Sequence, residues 1–398
     1  MSDLYFFTEN FPYGSKENFI ENEILVLAEN FDKVYIVPRS KTEGLREIPI
    51  NCEVINVPEP KGGVKLIILN FGFIICSLFN EFTNSSSKWF FIKNLRKWNS
   101  IFVKNISLAN EFSKKKKYSK NDFFLSFWMN DWAQSLSYLK KRKKINKFSF
   151  KVLGYDIYDE RHLGNYLPFR YHNYKYTQKV YAVSKIAQDY IIAKNIFSNK
   201  IGLCHLGTLD HGRSKVVKDG VVKIYSCSNI IPLKRVHKIA EILSKVKCNV
   251  YWVHQGEGEA INEVLKIVEN FPKNIRFHHS KRFKETNDMM RYIKNENFDI
   301  MIHLSASEGF GVVQPEALSL GIPVITTNVG AAPEYMTNKL GLLVDVEIEE
   351  QTVIDFIEGY WESDFCQEHK RDEIREFWKQ NFYFKHVYSK FIEDFKSH

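Results

Sequence analysis

The sequence predicts an α/β protein built as two doubly wound domains. Three observations carry this. The first 38 residues read strand, turn, helix, strand, which is a βαβ unit and implies a parallel sheet. Residues 223–326 repeat that alternation more cleanly, with five short β-rich runs separated by helical stretches. Finally, 398 residues with 44% hydrophobic and 26% charged side chains suit two soluble cores of ordinary size and exclude a disordered chain.

The elements follow in order. Residues 4–8 (LYFFT) form a short apolar strand that meets a turn at Phe11-Pro12-Tyr13-Gly14. Residues 18–30 have helical periodicity through Phe19, Ile20, Ile24, Leu25 and Leu27, and 34–37 is a buried strand. Residues 151–153 and 180–183 are later strands of the same half, whereas 84–120 and 138–148 are polar and are expected to be irregular, mobile connections. In the second half the strands are 223–226, 250–254, 275–278, 300–304 and 324–326; the helices between them are 236–244, 259–269, 288–295 and 315–320. The polar, glycine-bearing stretch 207–219 divides the chain, giving domains 1–206 and 207–377, with a last helix at about 378–398 packing back on the first. Ligands in open α/β sheets bind beyond the carboxyl ends of the strands, so two such domains are expected to face each other across a ligand cleft.

Charge is unevenly divided. Residues 1–200 hold 31 Lys/Arg against 19 Asp/Glu, and the remaining 198 hold 25 against 28. The excess lies in the runs KKKKYSK (114–120) and KKRKKINK (140–147), which read either as solvated surface or as a basic face for phosphate-bearing partners. Anionic lipid ranks above nucleic acid, since no zinc-finger, RNP-type or helix-turn-helix pattern occurs. The most apolar segment, LIILNFGFIICSLF (66–79), is interrupted by Asn70 and Gly72 and falls short of the roughly 20 residues needed to span a bilayer. It reads as a buried helix, with a surface-inserting segment as the alternative. The opening residues read as a first strand and not as a secretory signal. Six scattered cysteines without C-x-x-C spacing suit a reducing compartment, so the expected location is the cytoplasm, peripheral at the inner face of the membrane.

The most informative stretch is SASEGFGVVQPEALSLGIPVITTNVGAAPEYM (305–336). An apolar strand ends in a glycine turn, Glu308-Gly309-Phe310-Gly311, and a helix is expected near Pro315, whose fixed φ suits a first turn. Open backbone N–H groups and the positive end of a helix together bind a phosphate or pyrophosphate. Glu308 and Glu316 flank that turn, and two acids beside it exceed what packing asks for, although helix capping is an alternative for Glu316.

At these residues the chain resembles the retaining glycosyltransferases of the GT-B fold, family 4, whose hallmark is two glutamates separated by seven residues in an S-x-x-E-G-F-G-x-x-x-x-E-A setting. The resemblance implies a fold of two Rossmann-like domains. It places Glu308, Glu316 and the 309–311 turn (Gly309, Phe310, Gly311) around a nucleotide-sugar donor. SCSNIIPLKRV (226–236) is similar to the family's diphosphate-contacting segment: Lys234 fills the lysine place, Asn229 stands where arginine is usual, and Arg235 substitutes for it only if the backbone turns it inward. HQGEG (254–258) looks like the family's G-x-G turn. In the first half, FPYGSKENFIENE (11–23) and LGYDIYDERHLGNYLPFR (153–170) resemble the branch containing colanic-acid and other surface-polysaccharide transferases, which adds Gly14 to the donor-binding set. Leu153 replaces the histidine usual before Gly-x-Asp, leaving Asp156 as the nearest catalytic candidate, with turn capping as the equal alternative.

The reaction implied is transfer, with retention of configuration, from a UDP- or GDP-linked sugar to a saccharide acceptor, lipid-linked, in surface-polysaccharide or glycan synthesis. Lys234, the turn amides and the helix start meet the charge on the leaving diphosphate. Glu316 holds the ribose, and Glu308 holds hydroxyls of the transferred sugar. No cofactor or metal is implied: there is no Asp-x-Asp, and the Asp-x-Glu at Asp345 and Glu347 follows a late strand. The partners expected are the donor, the acceptor and an anionic membrane surface, not nucleic acid. The competing readings are a nucleotide-sugar epimerase, a phosphorylase (for which no pyridoxal-lysine pattern is seen), and a non-catalytic lipid- or nucleotide-binding protein of the same fold. A nicotinamide dehydrogenase is disfavoured because the first strand ends in ENFPYG and not in G-x-G-x-x-G.

Overall fold

The computed structural model describes residues 3–14, 17–85, 87–194, 198–281, 283 and 285–398. They divide into two compact units, Met1–His205 with Tyr388–His398, and Leu206–Val387.

The first unit is built on seven strands: β1 (Leu4–Thr8), β2 (Val34–Pro38), β3 (Cys52–Val54), β4 (Phe123–Ser126), β5 (Ser149–Val152), β6 (Lys179–Ala182) and β7 (Ile201–Leu203). They lie in the order β3-β2-β1-β4-β5-β6-β7, and every pair is parallel. β1, β2 and β5 are buried along their whole length, as expected of parallel strands covered on both faces. Three of these strands escape a periodicity search: β3 and β7 are three-residue edge strands, and β4 follows the lysine run directly.

Residues 84–120 are not an irregular connection. They hold the helices Lys88–Lys93 and Leu95–Lys115, the latter 21 residues long. Trp98, Phe102, Ile106, Ala109 and Phe112 bury one stripe of it at helical spacing, hidden in the sequence among lysines and asparagines. Residues 138–141 likewise end a helix, Asp131–Lys141, whose Asn130 cap accepts the backbone N–H of Trp132 at 3.0 Å.

Segment 66–79 is not one buried helix. It is split at Asn70 into the helices Val64–Leu69 and Phe71–Asn84. Ile74 and Leu78 face the core, but Ile75 and Phe79 stay 49% and 63% exposed. No helix among the described residues is long and apolar enough to cross a membrane.

In the middle of the first core, β5 carries a lysine. Lys151 is completely buried, donates to Glu23 Oε2 at 2.7 Å, and stands over the rings of Tyr388 and Phe391. Residues 388–398 of the last helix, Phe384–Ser397, thereby complete the first unit. The helix is interrupted at Tyr383, and Trp378 and Phe382, before the interruption, belong instead to the second unit. There the Trp378 indole donates to Thr208 Oγ1 at 2.7 Å, and Phe382 packs edge-on against Tyr335.

The second unit holds six parallel strands: β8 (Val222–Cys227), β9 (Val250–Gln255), β10 (Ile275–Ser280), β11 (Ile300–His303), β12 (Val324–Thr327) and β13 (Gly341–Val344). Their order is β10-β9-β8-β11-β12-β13. The helices Val236–Leu243, Ile261–Val268 and Thr286–Glu296 fall where the periodicity puts them. Their inner faces bury Val236, Ile239, Leu243, Val264 and Ile293.

The Lys151–Glu23 pair yields a stability prediction. Removing one partner leaves a buried charge alone, so Lys151→Ala should lower unfolding free energy by about 3–5 kcal/mol. The double variant Lys151→Met, Glu23→Leu should recover most of that loss in urea denaturation.

Candidate functional site

In the second unit the strand order reverses between β8 and β11, which lie side by side. Chain leaving β8 turns towards β9, and chain leaving β11 turns towards β12, so the two loops diverge from neighbouring strand ends. That is where open α/β sheets take ligands. The β8 loop carries Asn229, Lys234 and Arg235, and the β11 loop carries Glu308 and the glycine turn.

The β8 loop is built against the G-x-G turn after β9. The Ile230 N–H donates to Glu257 O at 2.9 Å, and the Ala260 N–H donates to Ile230 O at 3.0 Å. A Cβ on Gly258 would stand 2.2 Å from Ile230 O, so only glycine allows the two backbones this close. Past Ile230 the chain makes one tight turn, Pro232–Lys234, and Arg235 takes a left-handed conformation with φ of 48°. This lets the Arg235 guanidinium donate to Leu304 O at 2.7 Å and Val346 O at 2.8 Å. Arg235 therefore ties the ends of β11 and β13 to its own loop, and its donors are spent on backbone carbonyls. The exposed Asp345 and Glu347 flank one of those carbonyls. Asn229 is exposed, and its backbone oxygen accepts the Ile231 N–H at 3.1 Å.

Lys234 and Glu308, 74 residues apart in sequence, meet: the Lys234 ammonium donates to Glu308 Oε1. His303 Nε2 lies 2.6 Å from the same oxygen, and Ser305 Oγ lies 2.9 Å from that ring nitrogen. Burial works to raise the Glu308 carboxyl. The hydrogen bond from His303 and the Lys234 charge outweigh it and hold the group well below the usual carboxylate range. Glu308 is thus an ionised acceptor at neutral pH. Sequence reasoning missed His303; as the last residue of β11, it reads as one more buried strand position until the loop folds back over it. Gly330, with φ of 62°, brings the following turn onto this loop: a Cβ there would lie 2.7 Å from Glu308 Cβ, and the Ala331 N–H donates to Phe310 O at 3.2 Å.

Within the turn, Gly309 is partly exposed, whereas Phe310 is buried and packs edge-on against Phe382 at 6.1 Å. Phe310 is the anchor of the turn. Gly311 has φ of 91°, a value that favours glycine, and its carbonyl accepts the Gln314 N–H at 3.1 Å. Gln314 is locked in turn by Thr326 and Tyr335. The helix that follows is Val313–Ser319, so it starts two residues before the expected Pro315, which sits third within it. Glu316 is buried on that helix and lines a small pocket with Tyr225, Cys227 and Met289.

Gly14 and Asp156 belong to the first unit. Gly14 has φ of 63°, and a Cβ there would stand 2.7 Å from Thr42 Oγ1, which accounts for the glycine by geometry. Ser15 and Lys16 of the same segment lie outside the described residues. Glu17, which the sequence reading passed over, accepts the backbone N–H groups of Glu9, Asn10 and Phe11 together with the Trp128 indole, joining the loops after β1 and β4. Asp156 is buried after β5 and accepts the Leu153 N–H at 3.5 Å across a short helix, Gly154–Ile157. Burial pushes its carboxyl up to about 7, against the opposing pull of the Leu153 and Met129 N–H groups and Arg170.

Comparison with known proteins places these loops in a wider set. Residues 211–377 match the family described as "Glycosyl transferases group 1". The chain is similar to the O-antigen biosynthesis glycosyltransferase WclY of Escherichia coli, 26% identical over 141 residues, a match spanning 35% of this chain and 38% of that protein. It is also similar to an uncharacterized 41.2 kDa protein in the cps region of Klebsiella pneumoniae, 24% identical over 63% of this chain and 74% of the other. Among solved structures it resembles Anabaena Alr3699/HepE in complex with UDP and glucose, with a TM-score of 0.67 at 15% identity and full coverage of both chains. The chain thus has the two-domain α/β GT-B fold, and its residues 211–377 match the glycosyl transferases group 1 family.

Proposed function

We propose that this protein is a glycosyltransferase that moves a sugar, with retention of configuration, from a UDP- or GDP-linked donor to a saccharide acceptor carried on a lipid, in the synthesis of a surface polysaccharide or related glycan. The observation that carries the reading is the meeting of Lys234 and Glu308. A nucleotide sugar joins hydroxyl donors to phosphate acceptors through a single C–O bond, so its site needs an ionised acceptor and a cation a few ångströms apart. The two divergent loops supply that pair beside an open glycine turn. The description of WclY as an O-antigen biosynthesis glycosyltransferase and the complex of HepE with UDP and glucose point the same way.

In this reading Glu308 accepts hydrogen bonds from hydroxyls of the transferred sugar, and His303 keeps its carboxylate aimed and ionised. Lys234 and the 309–311 amides meet the charge that builds on the departing diphosphate, without a metal ion. Glu316 holds the ribose. The acceptor hydroxyl attacks the anomeric carbon from the face the diphosphate leaves. The new C–O bond forms as the old one breaks, and the hydroxyl proton passes to the departing phosphate oxygen. Arg235 positions the loops and does not contact the donor.

A thermal-shift series with UDP, GDP, ADP and their sugars tests the reading first, because a ligand of the native state raises its melting temperature. Failure of every nucleotide to do so overturns it. Glu316→Ala should weaken nucleotide binding, while Glu308→Ala should chiefly lower turnover with radiolabelled donor; equal, mild effects in both would refute the division of roles. Lys234→Ala should cost about 2–4 kcal/mol of transition-state stabilisation, roughly 30- to 1,000-fold in turnover. Arg235→Ala should instead lower the melting temperature and leave nucleotide affinity near that of the native chain. For Asp156, the folded state holds a proton that the unfolded chain releases between the ordinary value of 3.8 and about 7. Stability should therefore fall as pH rises through that window, and Asp156→Asn should flatten the slope in denaturation measured across it.

A further inference from the structure

The helices Val64–Leu69, Phe71–Asn84 and Lys88–Lys93 turn a large apolar surface outward. On the middle helix Phe71, Ile75 and Phe79 recur every fourth residue and form one exposed stripe. Ile68 and Leu69 on the helix before it, and Trp89, 72% exposed, on the helix after it, are also turned to solvent. Contiguous outward patches of this kind mark interaction sites.

The stripe is held outward by what the opposite face of the same helix does. Glu81 is buried and accepts the Tyr166 hydroxyl at 2.8 Å and the backbone N–H groups of Phe169 and His172 at 2.8 and 2.9 Å. Asn70 accepts the Tyr138 hydroxyl at 3.0 Å, and Phe73 packs on Phe102 and Tyr138. Rotating the helix to hide its apolar stripe would strand these polar groups.

The rim is cationic. Residues 61–110 contain seven Lys/Arg and a single acid, Glu81, which is buried. Lys65, Lys88, Lys93, Arg96 and Lys97 are all exposed. The Lys93 ammonium stands over the Trp89 ring at 5.1 Å and the Lys88 ammonium over the Phe82 ring at 5.9 Å, so the cations lie directly against the aromatic surface. A second copy of the chain docked here would set this rim of cations against itself. An anionic lipid surface satisfies both features, with the apolar stripe at the acyl boundary and the lysines among head groups.

We infer that these three helices are a docking face for an anionic lipid bilayer, on which the protein lies without spanning it. The face is separate from the lysine run 114–117: the helix Leu95–Lys115 starts beside the apolar stripe and carries that run at its far end, about 30 Å away along its axis. The inference does not rest on the transferase reading, and its test reads no activity.

The full chain is sedimented with phosphatidylcholine vesicles, with and without phosphatidylglycerol, at low and physiological salt. Binding should need the anionic lipid and weaken with salt. Replacing Ile75, Phe79 and Trp89 together by Ser should reduce it by roughly tenfold or more at unchanged melting temperature. Replacing Lys114, Lys115 and Lys117 by Gln should leave it within about twofold. If the triple variant loses stability, Trp emission replaces it: vesicles should shift native emission to the blue, and Trp89→Phe should remove that shift. Absence of native binding, native-like binding by the triple variant, loss of binding through the lysine run alone, or a blue shift kept in Trp89→Phe would each overturn the inference. So would light scattering showing a dimer that the triple variant splits.

Discussion

The second unit depends on a carboxylate that is almost wholly removed from water and still charged. An isolated ionised acid in that position would take up a proton. Glu308 stays ionised because His303 and Lys234 converge on one of its oxygens, one from the end of its own strand and one from a different loop. The interaction fixes three things together: where the β8 loop lies relative to the β11 loop, which atom of Glu308 is free to face a ligand, and where a cation stands beside it. Removing Lys234 or His303 takes away one of the two contacts that keep this buried carboxylate charged.

Backbone geometry has to allow this convergence. Gly258 lets the β9 turn lie directly on the loop that carries Lys234, and Gly330 lets the β12 turn lie on Glu308. Arg235, in its left-handed conformation, ties the ends of β11 and β13 to the same loop. The ends of the five strands β8, β9, β11, β12 and β13 therefore form one hydrogen-bonded frame. This is why the glycines of the family-like stretch are part of the site although they offer no side chain to a ligand.

The first unit solves a similar problem by different means. Glu17 gathers four donors and joins the loops after β1 and β4, and Lys151 with Glu23 places a paired charge in the middle of the sheet. Its outer helices keep apolar side chains in water because their inner faces are committed to Glu81, Asn70 and Phe73. The same amphipathic logic builds the long helix Leu95–Lys115, with the stripe from Trp98 to Phe112 turned inward. Direction, and not composition, separates the two.

Much of the fold was legible because parallel strands buried on both faces read as unbroken apolar runs: 4–8, 34–37 and 324–326 needed no tertiary information. Short or edge strands such as Cys52–Val54 and Ile201–Leu203 give too few residues for any period to show, and lysines masked the helix Leu95–Lys115. In the site, Glu308, Glu316 and the glycine turn stood out because their spacing is local, and Lys234 through the resemblance of residues 226–236 to a diphosphate-contacting segment. His303, Glu17 and the role of Arg235 did not, because each acts across a gap in sequence on backbone or side-chain atoms that only the packed sheet brings near. By itself the sequence determined which residues carry charge and which backbones could turn. The tertiary structure alone decided which charges meet, since a pair 74 residues apart is joined by strand order and not by spacing.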